Sequence, residues 1–220
     1  MATIRFKIGE GFPAADPVAR FIAVAAMVSN DGLRLLSEMV ALDEADPDVE
    51  GRRLMLFRQQ AALHHEAARF IRDARGRFPE VDGFIAGLAP AAQDEYRQVT
   101  GVIDSTSEHD LGDWLGDHRN VSFHYPVMHP ERAAAGQEEI SKALEAAREL
   151  EGTISMDEAF GGVRFGFADD VAVQWLPDPE TKAHLIEQLR DSVMALMRFV
   201  QRASQAYLES RAEGTFTVDS

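Results

Sequence analysis

The stretch from Asp178 to Tyr207 constrains the fold more than any other part of the chain. Asp178-Pro179-Glu180 supplies a capping carboxylate, a proline suited to the first helical position and an acid in the first turn. Leu185, Leu189, Val193, Leu196, Val200, Ala203 and Tyr207 then recur at the period of an α-helix. A helix this long and this one-sided needs other elements against which to bury its stripe.

Upstream segments offer those elements. Asp16-Pro17 is a second helix start, and Phe21, Ala25, Val28, Leu35, Met39 and Leu42 share one helical face. Asn30-Asp31-Gly32 carries turn residues, yet Gly32 stays in register between Val28 and Leu35, so one continuous helix is expected. The acidic stretch from Asp43 to Glu50 is expected to be a solvated turn. A second long helix is expected from about Pro47 to Phe78, with Phe57, His64, Ile71 and Phe78 in one row and Leu56, Leu63 and Phe70 in the next. A shorter segment, Val81 to Leu88, precedes Ala89-Pro90, and a third helix runs through Tyr96, Val99 and Ile103. Leu111, Trp114 and Leu115 give another helical face, closed by Pro126 and Pro130. A helix from Ala133 to Glu151 is expected to turn Ile140, Leu144, Ala147 and Leu150 inward.

Strand periodicity occurs in a few short places. Ile4, Phe6 and Ile8 alternate with polar residues, and Gly9, Gly11 and Pro13 end the alternation. Residues 153–156, 163–167 and 171–175 look extended, with Asp169-Asp170 as a hairpin turn. The expected fold is mainly α: one helical-bundle domain over residues 1–220, with a small β element at about 153–176 joined by residues 3–8. The tail after Gly214 is expected to fray.

Composition narrows the function classes. The chain has no cysteine, which excludes disulfides, thiolate metal sites and a thiol nucleophile and suits a reducing cytoplasm. The N-terminus lacks the continuous apolar stretch of a secretory signal, and the longest apolar run, Phe21 to Val28, is too short to span a bilayer. A soluble cytoplasmic protein with no membrane partner is expected. The formal charge of -15 argues against a surface that coats nucleic acid, while leaving room for one local phosphate site.

The polar chemistry concentrates in Asp117-His118-Arg119-Asn120-Val121-Ser122-Phe123-His124-Tyr125-Pro126. Arg119 can hold a phosphate through two parallel hydrogen bonds. His124 can exchange protons near neutral pH. On a regular helix five residues turn about 500°, so Arg119 and His124 diverge by roughly 140°. They converge more readily across a two-fold axis, whereas Asn120 and His124 share a face.

Arg119, the polar Asn120, three further residues and His124 form an arginine-polar-x3-histidine pattern that resembles the signature of the HEPN superfamily of small helical-bundle proteins. The resemblance covers about ten residues. It implies metal-independent RNA cleavage in toxin–antitoxin, antiviral or RNA-processing systems, by a homodimer whose two motifs face a shared cleft. Arg119, Asn120 and His124 would be the catalytic residues, RNA the substrate, and an antitoxin or other regulatory protein the partner. No cofactor and no metal is implied. Pro126, two residues after His124, departs from the continued helix of many relatives. In some HEPN toxins a modified tyrosine lies two residues beyond the histidine; Tyr125 is adjacent to it here, so that role is not carried over.

Two other readings stand beside this one. Arg119, Asn120 and His124 could tie helix ends together in a non-catalytic interaction protein. A metal-binding bundle is the third. His64-His65-Glu66 would be its obvious seed, but successive helical residues diverge by about 100° and cannot share one ion. His64 falls in an apolar row and is expected to be a core histidine. His109 with Asp113, and Glu180 with His184, are each four apart, but neither pair has the repeated Glu-x-x-His form of a di-iron bundle. There is no phosphate-binding glycine loop and no nucleophile elbow.

Overall fold

The structure is a computed structural model, and it describes residues 3–5, 7–43, 45–46, 49–103, 141–142, 144–150, 154–157, 162–165, 179–211 and 217–219. These are mainly helical. A short α1 (Ile8–Gly11) leads to α2 (Pro17–Val40), α3 (Val49–Arg77), α4 (Pro79–Ala86) and α5 (Pro90–Gly101), and α6 (Pro179–Ser210) follows later in the chain. Residues 141–142 and 144–146 are also helical.

Helix α6 is the hub. All seven residues of its expected stripe are buried, none more than 5% exposed. It packs against α2 and α5, while α3 packs against α2, α4 and α5. The core joins Phe21, Ile22 and Ala25 of α2, Ala67, Ala68 and Ile71 of α3, Val81 and Ile85 of α4, Val99 of α5, and Phe199 of α6. The alanines of α3 have small side chains that let neighbouring helices come close, and Phe199 fills the centre at 0% exposure. A satellite cluster of Ala61, Val102, Leu185, Leu189 and Val193 extends the core along α6.

The start of α2 follows its sequence signals. Asp16 Oδ1 accepts hydrogen bonds from Val18 N at 2.8 Å and Ala19 N at 3.4 Å, and Pro17 occupies the first helical position. The helix runs unbroken through Asn30-Asp31-Gly32. Gly32 is buried where Gln60, Leu63 and Met197 converge, and a Cβ built there would sit 3.6–3.9 Å from their side chains, in ordinary van der Waals contact. Alanine therefore fits and is the better helix former. We expect Gly32→Ala to stabilise the protein by up to about 1 kcal/mol, read as a higher midpoint in urea with an unchanged slope. A lower midpoint would show that these three side chains cannot tolerate a methyl group.

Several expectations fail. The small sheet expected beside the helices is not supported. Instead β1 (Thr3–Arg5) pairs antiparallel with β4 (Thr217–Asp219), placing Ile4 opposite Val218. The C-terminal tail thus contributes a strand where fraying was expected. Residues β2 (Ile154–Asp157) and β3 (Gly162–Phe165) form a separate antiparallel pair, which residues 3–5 do not join. The expected turn at Asp169-Asp170 lies outside the described residues. Ile8 begins a helical turn, with Glu10 N and Gly11 N both bonded to Lys7 O at 3.0 Å, and its side chain is 76% exposed.

Phe78 is 45% exposed because the chain turns extended there, between α3 and α4, and the seven-residue row ends with it. Leu144 and Leu150, expected to face inward, are 50% and 53% exposed. Short-range bonds from Arg148 N to Glu145 O and from Leu150 N to Ala147 O replace the α-helical pattern after residue 146, so the 3.6-residue period no longer sets the direction of Leu150.

Candidate functional site

Arg119, Asn120 and His124 lie outside the described residues, as do His109, Asp113, Trp114, His118, Tyr125 and His129. The expected convergence of a guanidinium and an imidazole is therefore unplaced. What the structure does place is the polar chemistry inside and between the helices.

The principal buried polar group is His64 of α3. It is 0% exposed, and its Nε2 lies 2.7 Å from Ser192 Oγ of α6, itself 3% exposed. Gln60, one turn earlier on α3, is 4% exposed. His64 Nδ1 and Gln60 Oε1 have no hydrogen-bond partner among the described residues. Burial, together with a smaller contribution from repulsion by the adjacent His65, pushes the His64 pKa from 6.5 down to about 4. The ring is neutral at pH 7. A histidine on a serine hydroxyl has the composition of an activated nucleophile. Here both groups are sealed among apolar side chains, so the pair ties α3 to α6 as the sequence led one to expect of a core histidine.

Two charged ties join other helix surfaces. Glu95 of α5, 8% exposed, receives Arg198 Nε at 3.2 Å on Oε1 and lies 3.1 Å from Arg202 Nε through Oε2. The two arginines are one turn apart on α6 and clasp the carboxylate from the same face. Further along α6, Tyr207 donates its hydroxyl hydrogen to Asp16 Oδ2 at 2.6 Å, and Arg211 Nη1 donates to the same oxygen at 3.3 Å. Burial raises the Tyr207 pKa, as does the bond to Asp16, to about 12. For Asp16, burial raises the pKa, but the Tyr207 hydroxyl, the two backbone N–H groups and Arg211 together hold it below the ordinary value.

Among the described residues no three histidine, aspartate or glutamate side chains gather to hold a metal ion. His184 is exposed, and its Nε2 lies 2.9 Å from Gln188 Nε2. Sequence reasoning missed Ser192, although it lies three residues after Leu189 and four before Leu196, in the core stripe of α6. It also missed Glu95 with Arg198 and Arg202; their separation in sequence leaves no local signal. Among the described residues no helix is long and apolar enough to cross a membrane. The chain matches no family model, no curated protein and no solved structure.

Proposed function

We propose that the chain is a HEPN-like protein of the cytoplasm, acting as a metal-independent endoribonuclease where two copies meet. The observation that carries this reading is the arginine-polar-x3-histidine run Arg119-Asn120-Val121-Ser122-Phe123-His124, in a chain whose described residues are mainly helical. Cleavage would proceed by attack of the RNA 2′-hydroxyl on its own phosphate. The 2′-oxygen bonds to phosphorus as its proton leaves, the bond from phosphorus to the 5′-oxygen breaks, and that oxygen takes up a proton. The products are a 2′,3′-cyclic phosphate and a 5′-hydroxyl. His124 serves as base or acid in these transfers, and Arg119 neutralises the charge that builds on the phosphate oxygens. Asn120 orients either group. The need for a 2′-hydroxyl restricts the site to RNA. The setting is a toxin–antitoxin or antiviral defence system, with an antitoxin or regulatory protein as partner.

The test is cleavage of an RNA panel by purified protein in EDTA. His124→Ala is expected to slow cleavage by about 10²–10⁴-fold and Arg119→Ala by about 10²–10³-fold, with unchanged circular dichroism. Activity that EDTA abolishes would sink the metal-independent mechanism.

The rival reading is a non-catalytic interaction protein in which Arg119, Asn120 and His124 are structural. The clasp of Arg198 and Arg202 on Glu95 supports it, because the chain already uses arginine to tie helices together. No cleavage of any RNA, together with a lowered melting temperature in Arg119→Ala, would select it.

A further inference from the structure

Helix α2 carries an exposed seam that is not covered among the described residues. Arg20, Val24, Met27 and Asp31 follow one another at spacings of four, three and four residues, the spacing that keeps side chains on one line of a helix. All four are exposed, Val24 by 40% and Met27 by 64%. The small Ala23, also exposed, lies beside Val24. The buried residues of α2, among them Phe21, Ile22, Ala25 and Gly32, point the other way into the core. The seam is thus apolar in the middle, with a cation at one end and an anion at the other.

That order of charges suits a second copy of the same helix running in the opposite direction. On antiparallel helices each step forward on one chain is a step back on its mate. Setting Val24 against the partner's Met27 therefore sets Met27 against the partner's Val24, and Arg20 against the partner's Asp31. Both ends of the apolar centre are then closed by ion pairs of opposite sign. A parallel arrangement would oppose Arg20 to its own counterpart and repel. The charged groups are free to serve. Arg20 spends Nη1 on Ala14 O at 2.8 Å and keeps its other donors, and Asp31 has only a loose contact with Arg34 at 3.7 Å.

We propose that α2 is a self-association surface, on which two copies of the chain pack antiparallel through Val24 and Met27 with Arg20–Asp31 pairs across the interface. This inference offers the two-copy ribonuclease reading an interface, but it does not rest on that reading, since it uses neither Arg119 nor His124. Four central apolar side chains make a small interface, so the dimer dissociates at roughly 1–100 μM.

Sedimentation velocity of the full chain across that concentration range tests it. The wild type should move from the 24.3 kDa monomer toward twice that mass. Met27→Glu should weaken association by about tenfold or more, by burying like charges at the centre. Arg20→Asp and Asp31→Arg should each weaken it by about fivefold, and the double swap should return to within about threefold of wild type, because it restores both pairs. These positions are on the surface, and circular dichroism checks that each variant folds. A chain that stays monomeric throughout, a dimer indifferent to Met27→Glu, or a double swap no better than the single ones overturns the proposal. RNA cleavage in the same variants keeps the two ideas separable, since a dimer that ignores Met27→Glu sinks this one and leaves the nuclease reading to its own assay.

Discussion

Lowering the pH from 6.5 to 4 should cost the folded protein about 3 kcal/mol through His64 alone. The magnitude follows from a pKa pushed from 6.5 to about 4, at about 1.4 kcal/mol for each pH unit. The direction follows from proton counting. In the unfolded chain His64 binds a proton as the pH drops through 6.5. In the folded chain it stays neutral down to about 4, because a charged ring would be sealed at 0% exposure between α3 and α6. The unfolded state therefore holds the extra proton in that window, and stability falls as the pH falls. The full contribution is present above pH 6.5. Urea melts at pH 7, 5.5 and 4 on the wild type and on His64→Gln measure it. Glutamine keeps a polar side chain beside Ser192 but does not titrate, so the variant should lose less stability over the same range. Carboxylates titrate near the lower end in both proteins and cancel in the difference. Parallel profiles for the two proteins would show that His64 is solvated or paired otherwise than by Ser192.

Asp16→Ala should be the second large effect, about 2–3 kcal/mol of destabilisation, or roughly 5–10 °C in melting temperature for a chain of this size. Two losses add. The cap on Val18 N and Ala19 N contributes about 1 kcal/mol. The Tyr207 hydroxyl, on a residue only 4% exposed, loses the acceptor at 2.6 Å, and a buried hydroxyl without a partner costs about 1–3 kcal/mol. Arg211 adds little, since its side chain is 37% exposed. Because part of the cost is the stranded hydroxyl, Asp16→Ala combined with Tyr207→Phe should destabilise by less than the two single changes summed. Simple additivity would mean that the two residues act independently. The depressed Asp16 pKa places its own acid loss below pH 3.8, in a window separate from that of His64.

How much of this was legible in the chain depends on how local the cause is. Asp16-Pro17, the continuity of α2 through Gly32, and the seven-residue stripe of α6 all follow from period and capping, which act within a few residues. The burial of His64 was legible as well, since it shares a row with Ile71. Its partner was harder to find: Ser192 comes from a helix far along the sequence, and nothing near His64 names it. The misplaced elements share a different cause. Ile4 to Ile8 alternates like one strand, yet Ile8 enters a helical turn, and β1 takes its partner from the last residues of the chain. Strand pairing is decided by whichever edge is within reach, and that is a property of the whole fold. Leu150 had the right period on a segment that does not stay helical after residue 146. The motif at Arg119 to His124 was legible as chemistry alone, because side-chain type says that an imidazole can exchange protons and a guanidinium can hold a phosphate but carries no distance between them.

The sequence alone determined where helices α2, α3, α5 and α6 run, which faces of α2 and α6 are apolar, and that one short stretch concentrates groups fit for phosphate chemistry. Those are consequences of backbone period, capping and side-chain type, all encoded within a turn or two. Only the tertiary structure decided that Ser192 closes on His64, that Glu95 is held by Arg198 and Arg202, that Asp16 binds both its own helix and Tyr207, and that Val24 and Met27 are left outside. Each of these depends on which helices become neighbours, and that choice comes from packing the whole core at once.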